Sequence, residues 1–261
     1  KLKPADISTD SSAAYPTKVA LHYYLRKGYF MDVMWRDILN SPLRTRGQYV
    51  YSDLSMVVMK EILETITTTP LNTYVQQNFY DPLGMKTAGF LPYKRFQISQ
   101  IVPTEDDEVF RHSLLDGYVH DPTAAMMGGV SGNAGLFASA NDLAILYQMM
   151  LNRGSYGGVQ YFKPATVDLF TSKQSPVSRR ALGFDMWDPI VDRHYPSQLA
   201  SPLAYGHTGY TGIGVWVDPK YNLVYIFCSN RVNPKVSDKL SSLNIRPRIQ
   251  DVVYQAIAKG L

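Results

Sequence analysis

The residues best suited to chemistry in this chain are five histidines, one cysteine and a run of acids. His112, Asp116 and His120 recur at i, i+4 and i+8, a spacing that on one helix face would gather three metal ligands. Gly117 interrupts that span, and Pro103 and Pro122 flank it, so one straight helix is not expected and no metal is assigned. Glu105-Asp106-Asp107-Glu108 lacks the Asp-x-Asp-x-Asp-Gly spacing of a calcium loop and reads as a solvated acidic turn, partly paired with Arg111. The glycines from Gly128 to Gly135 have no lysine after them, which excludes a phosphate loop and leaves tight packing as their expected task. Cys228 stands alone, so neither an intrachain disulfide nor a cysteine-based metal cluster can form. It ends the apolar run Tyr225-Ile226-Phe227-Cys228 and is expected in the core.

Two short segments remain: Tyr51-Ser52-Asp53, and His207-Thr208-Gly209-Tyr210. Each needs an element to hold it. Tyr49 to Tyr51 reads as extended, and Ser52 or Asp53 can cap a helix whose apolar stripe is Leu54, Val57, Val58, Ile62 and Ile66. Pro70 opens a second helix with Leu71, Tyr74, Val75 and Phe79 inward, and Pro82-Leu83-Gly84 stops it. His207-Thr208-Gly209 is expected to open a strand. Residues 212–218 and 222–228 then read as a β-hairpin turned at Pro219-Lys220-Tyr221.

Further helices are expected over 31–39, 142–151, 164–171 and 249–258, while 1–16 reads as loop and 92–135 as turn-rich with little periodicity. Helices first, then a hairpin and a final helix, point to an α+β fold rather than a parallel doubly wound sheet.

The 261 residues are 45% apolar and 18% charged, enough for a sizeable core, and the formal charge is +4. No run of Lys and Arg reaches five, so nucleic acid is not expected as a partner. No stretch of 18 apolar residues occurs, and no signal peptide is visible. The first residue is Lys1 rather than Met, which reads as a cut through a longer protein.

Three segments, taken in order, resemble the serine β-lactamase and penicillin-binding-protein family, including class C β-lactamases, DD-peptidases and related esterases. Tyr51-Ser52-Asp53 opens a helix and is followed by Asp81-Pro82-Leu83-Gly84-Met85, like the family's Tyr-x-Asn element and its "PLGM" turn. Val119-His120-Asp121 precedes Gly128-Gly129-Val130-Ser131-Gly132-Asn133-Ala134-Gly135-Leu136-Phe137, similar to "VHD … GGVAGHAGLF" in the esterases. His207-Thr208-Gly209 resembles the Lys-Thr-Gly element in its His-Thr-Gly form.

The resemblance implies a β-lactamase/transpeptidase-like fold: an antiparallel sheet with a helical part over about 17–172 and a C-terminal hairpin and helix over about 203–261, as one domain incomplete at its N-terminus. It also implies acyl-enzyme hydrolysis of an ester, amide or peptidoglycan-type peptide in the periplasm or cell envelope, with no cofactor. Tyr51 would be the base, the backbone N–H of Tyr210 an oxyanion donor, and His207 would stand where a cationic lysine binds the substrate carboxylate. Asp53, Thr208 and Gly209 would contact substrate, and Gly209 and Gly212 would admit its close approach.

Two departures follow. No lysine here has a serine three residues before it, so the family's Ser-x-x-Lys nucleophile is expected in a missing N-terminal segment. A carboxylate at Asp53 would repel an anionic substrate, which speaks against β-lactam hydrolysis and leaves ester or peptide hydrolysis open. Such a chain should also show uncovered apolar surface. The alternative is a non-catalytic binding or structural module fused to another enzyme, such as a cell-wall glycosidase.

Overall fold

A computed structural model describes residues 2–43, 45–190 and 196–260. Its main sheet is antiparallel, in the order β11-β10-β9-β8, formed by β8 (Asp185–Met186), β9 (Tyr205–Thr208), β10 (Gly214–Asp218) and β11 (Leu223–Phe227). The register pairs Gly214 with Thr208, Val215 with His207, and Asp218 with Leu223. Alternation then decides which side chains meet which helix. Tyr205, Val217 and Val224 lie on one face and pack with Tyr147, Met150 and Leu151 of helix α5 (Ala140–Leu151). Leu223 and Asp218 lie on the other face, under helix α8 (Ile245–Ala258), where Tyr254 packs with Leu223 and its hydroxyl donates to Asp218 at 2.8 Å. All five residues of β10 are buried, as a central strand between two helices requires.

The rest builds a helical part with small satellite sheets. The first is β1 (Ile7–Ser8), β2 (Thr17–Ala20) and β3 (Tyr23–Leu25), in the order β1-β3-β2. A π-helical turn then leads into α1 (Arg36–Leu39), followed by α2 (Leu54–Thr67) and α3 (Leu71–Val75). β4 (Glu105–Asp107) pairs with β5 (Ser113–Leu115), and α4 (Pro122–Met126) follows. β6 (Ser155–Tyr156) pairs with β7 (Val159–Gln160) ahead of α6 (Pro164–Phe170), and α7 (Lys239–Ser242) precedes α8. The Pro82-Leu83-Gly84-Met85 turn buries Leu83 and Met85 against Met149 of α5. Asp142 of α5 fastens the same region by accepting from the Thr87 hydroxyl and from the Thr87 and Ala88 amides.

Several sequence expectations change. Residues 1–16 hold a 3-10 turn and β1, because Ile7 and Ser8 find ladder partners in Leu25 and Tyr24. α8 begins at Ile245, four residues early, with Pro247 tolerated in its first turn. Cys228 is exposed rather than in the core, because it lies one residue beyond the end of β11. The acidic run is solvated only in part: Asp106 and Glu108 are exposed and the pairing with Arg111 is present, but Asp107 is buried on that guanidinium, and Glu105 and Asp106 belong to β4.

The apolar stripe of α2 is largely uncovered. Val57 is fully buried, but Leu54, Ile62 and Ile66 are exposed, and so are Met56 and Met59. The face that does pack lies on the glycine-rich loop. A Cβ on Gly132 would sit 2.1 Å from the Met56 carbonyl oxygen, so only glycine allows that approach. Among the described residues no helix is long and apolar enough to cross a membrane.

Candidate active site

Strand β9 ends at the point where His207 and Thr208 extend past β8, whose partners on β9 are Tyr205 and Gly206. His207 therefore projects beyond the edge of the short strand, and the segment before α2 brings Tyr51 to it. The Tyr51 and His207 ring centroids are 6.4 Å apart, so the two motifs meet at the end of β9. His207 and Thr208 close β9 rather than open a strand; β10 begins only at Gly214.

A third side chain joins them that the sequence reading did not single out. Arg180 donates from Nη1 to His207 Nε2 at 2.6 Å, and its guanidinium carbon lies 5.4 Å from the Tyr51 ring centre and 5.9 Å from that of Tyr49. His207 Nδ1 lies 2.8 Å from the Thr208 carbonyl oxygen. A carbonyl can only accept and a guanidinium only donate, so both contacts are satisfied by one species: neutral imidazole protonated on Nδ1. Burial, helped by the Arg180 charge, pushes the His207 pKa below its ordinary value; the Thr208 carbonyl, Asp185 and Asp53 oppose this without reversing it. Arg180 thus places its positive charge directly against the neutral His207 ring. Its neighbour Asp185 is engaged by Arg179, at 2.6 and 2.8 Å, and lies 3.5 Å from Arg180 Nε. An open pocket of about 570 Å³ adjoins this cluster, with Gln48, Tyr49, Val177 and Arg180 in its lining.

Tyr51 itself is well exposed, and its phenol is pushed above the ordinary tyrosine value, first by desolvation and then by Asp53, with Arg180 pulling the other way. Asp53 occupies the N-cap position of α2, yet its side chain caps nothing; the Ser52 hydroxyl accepts from the Leu54 amide at 3.3 Å instead. That frees the Asp53 carboxylate to act on Tyr51 and His207 through charge.

Tyr210 lies in the tight turn between β9 and β10, closed by Gly209 N–H to the Ile213 carbonyl at 2.9 Å and Gly212 N–H to the Gly209 carbonyl at 3.1 Å. Its own N–H donates to no backbone carbonyl among the described residues. Gly212 has φ +124, and a Cβ there would meet the Ser229 hydroxyl at 2.7 Å, so the turn itself demands glycine. At Gly209 a Cβ would meet nothing nearer than 3.7 Å.

The other candidates resolve differently. His112 sits in a left-handed turn before β5, so His112, Asp116 and His120 do not share a helix face. Among the described residues no group of three or more such side chains could hold a metal, and His194 lies outside them. The site residue missed by sequence reasoning is Arg180. The tandem Arg179-Arg180 in a turn-rich stretch ahead of β8 was the one available signal.

The β-lactamase family model matches residues 9–247. A protein of Escherichia coli strain K12 that carries the name of a D-alanyl-D-alanine carboxypeptidase is 36% identical over 245 residues, covering 88% of this chain and 56% of its own length. The chain thus spans about half the length of the curated relatives it matches. A β-lactamase structure from Mycobacterium bovis superposes with TM-score 0.56 at 20% identity, covering 81% of this chain and 65% of its own. A penicillin-binding protein homologue from Caulobacter crescentus gives TM-score 0.54 at 17% identity, covering 87% and 62%. The family match over nearly the whole chain and the α+β fold with its antiparallel sheet agree: this chain belongs to the β-lactamase family of penicillin-binding-protein-like hydrolases.

Proposed function

We propose that these residues form part of a β-lactamase-like serine hydrolase that acts by acyl-enzyme chemistry on an ester, amide or peptidoglycan-type peptide in the cell envelope. The observation that carries this reading is the gathering of Tyr51, neutral His207 and the Arg180 guanidinium at the end of β9, two residues before Tyr210, whose amide donates to no backbone carbonyl among the described residues.

In this reading Tyr51 moves the proton of the nucleophile, and the Tyr210 N–H receives the developing oxyanion. Thr208 and Gly209 line the strand edge on which substrate lies, and Asp53 orients the helix side. Arg180 is the cation that a substrate carboxylate meets. A guanidinium offers a carboxylate paired, charge-assisted donors, which suits a peptide with a free C-terminus. The relatives named for D-alanyl-D-alanine carboxypeptidase activity support that substrate class.

An ordinary tyrosine with pKa ~10 is ionised in roughly one molecule in a thousand at pH 7. Tyr51 lies above that value, so it is protonated in this chain at neutral pH. A working base needs a further cation beside it, and the chain contains no Ser-x-x-Lys to provide one together with the nucleophile. The nucleophile is therefore assigned to residues outside these 261.

The test compares the isolated chain with the full-length gene product. The isolated chain should hydrolyse neither a chromogenic β-lactam nor an activated ester above a denatured-protein control. The full-length protein should turn over an activated ester or a D-alanyl-D-alanine-terminated peptide, and Tyr51→Phe should abolish that turnover. A full-length protein with no Ser-x-x-Lys and no turnover would replace this reading with a non-catalytic module. Turnover by the isolated chain that vanishes in Tyr51→Phe would place the nucleophile within these residues.

A further inference from the structure

The turn that presents the Tyr210 amide is gripped through its side chain. The His120 ring stacks on the Tyr210 ring at 4.7 Å between centroids and 15° between planes. On the Tyr210 side the guanidinium carbon of Arg231 lies 4.6 Å from the ring centre, and Arg231 Nη1 donates to the Tyr210 carbonyl at 3.2 Å. The Arg231 amide also donates to the Thr211 carbonyl at 2.8 Å.

His120 is itself fixed at both ring and backbone. Its Nδ1 bonds to the Glu105 carboxylate on β4, and its carbonyl accepts from Arg111 Nη2 at 2.6 Å. Arg111 is almost fully buried; it donates to the Val119 carbonyl at 2.6 Å and to Asp107 at 2.6 Å. Asn230, next to Arg231, donates to the Pro103 carbonyl at 2.7 Å and so returns the contacts to the segment that leads into β4 and Glu105. The contacts close a ring through Pro103, Glu105, His120, Tyr210, Arg231 and Asn230.

We propose that the Glu105–His120 pair is a positioning device for the β9–β10 turn: with His120 stacked on the Tyr210 ring that Arg231 also contacts, it fixes where the Tyr210 backbone N–H points. The catalytic consequence rests on the acyl-transfer reading above. An oxyanion donor stabilises the transition state only if it is aimed before the charge develops, and a backbone donor has no side chain of its own to aim it. The turn contains Gly209 and Gly212, and the Tyr210 side chain is about half exposed, so the stack supplies order that the turn lacks locally. His120 is a positioning residue here; it is not assigned contact with substrate.

The test has two arms. In the 261-residue chain, amide hydrogen exchange is measured at Gly209, Gly212 and Arg231, whose N–H groups close the turn. His120→Ala and Tyr210→Ala should each speed exchange at these amides at least tenfold while the β10 amides stay protected. The double variant should be no faster than Tyr210→Ala alone, since Tyr210→Ala already removes the contact that His120 makes. His112→Asn, on the same hairpin but exposed and without a contact to the turn, should leave exchange unchanged. Unchanged exchange in His120→Ala, or additive effects in the double variant, would overturn the proposal.

In the full-length protein, His120→Ala should lower kcat by about 10²-fold with KM little altered, the cost expected of a donor misplaced by about an ångström. An equal rise in KM with unchanged kcat would show that His120 serves substrate binding and not the turn. If the wild-type full-length protein turns nothing over, the acyl-transfer reading fails, and the exchange arm still decides whether the clamp exists.

Discussion

The two walls of the cleft are built in different ways. The sheet wall carries His207, Thr208 and the Tyr210 turn on a ladder whose central strand is wholly buried. Its turn is tied to β4 and to residues 230–231 by stacks and charge-assisted bonds. The helix wall carries Tyr51 on an exposed segment ahead of α2, and of the α2 side chains only Val57 is fully withdrawn from water. The wall proposed to hold a fixed oxyanion donor is held by buried and charge-assisted contacts, and the wall proposed to carry the mobile proton is bare. Substitutions should therefore be costly on one side and cheap on the other.

The largest cost is expected at Arg111→Ala. This guanidinium is almost completely buried and serves Asp107, Glu105 and two carbonyls at once. Removing one partner of a buried pair leaves the other charge uncompensated, at about 3–5 kcal/mol. Chemical denaturation of the purified chain measures it. A loss below about 1 kcal/mol would mean that the sheet wall is not held from this hairpin.

Next in size is Arg180→Gln in the full-length protein. A hydrogen bond to a charged group contributes about 1.5–3 kcal/mol, so kcat/KM toward a substrate with a free carboxylate should fall about 10- to 150-fold. The same peptide with an amidated C-terminus should show little difference between wild type and variant. Equal losses on both substrates would reassign Arg180 to holding His207 alone.

The sheet wall was the more legible half, for a physical reason. Its strands are short, β-branched and aromatic with turn residues between them, so Gly214–Asp218 and Leu223–Phe227 could be read locally. The helices around Leu54, Leu71, Ala140 and Pro164 were legible by period and by proline. Tyr51 and His207 could be paired through the family resemblance of their two motifs.

What could not be read were contacts between residues far apart in sequence. Arg180 lies 27 positions from His207, and Asn230 lies 127 from Pro103. Two-residue strands such as Asp185–Met186 carry no period at all. The acidic run misled because charge alone suggested solvent, while Asp107 gains the amides of Val109, Phe110 and Arg111 and is buried by them.

Acid should separate two groups on the sheet wall by their windows. His207 has its pKa lowered on folding, so the unfolded chain takes up that proton first. Its contribution is fully present above the ordinary histidine value of ~6.5 and declines as pH falls below it. Asp107 behaves at lower pH: burial pushes it up, but the Phe110 amide, the Arg111 side chain and the Val109 and Arg111 amides outweigh that and hold it at about 2. Its contribution is present above ~3.9 and is lost as pH falls through about 2. Denaturant midpoints between pH 8 and 5 should therefore decline slightly in wild type and flatten in His207→Gln. A decline of the same slope in His207→Gln would remove His207 as its source.

The smallest effect is expected on the helix wall, at Ile66→Ser. Ile66 is 76% exposed, so folding removes only about a quarter of its side chain from water. Full burial of an isoleucine contributes about 1.5–3 kcal/mol, which leaves roughly half a kcal/mol for Ile66. Serine and isoleucine have similar helix propensities, so the backbone adds little. The isolated chain should then lose no more than about 0.5 kcal/mol, the range of ordinary surface substitutions, with an unchanged denaturant slope. A loss above about 1.5 kcal/mol, or a midpoint that depends on protein concentration in wild type but not in Ile66→Ser, would mean that a second copy covers this face in solution. In that case α2 would be a packed wall, Tyr51 would stand at an interface, and the contrast between a tied and a bare side of the cleft would no longer hold.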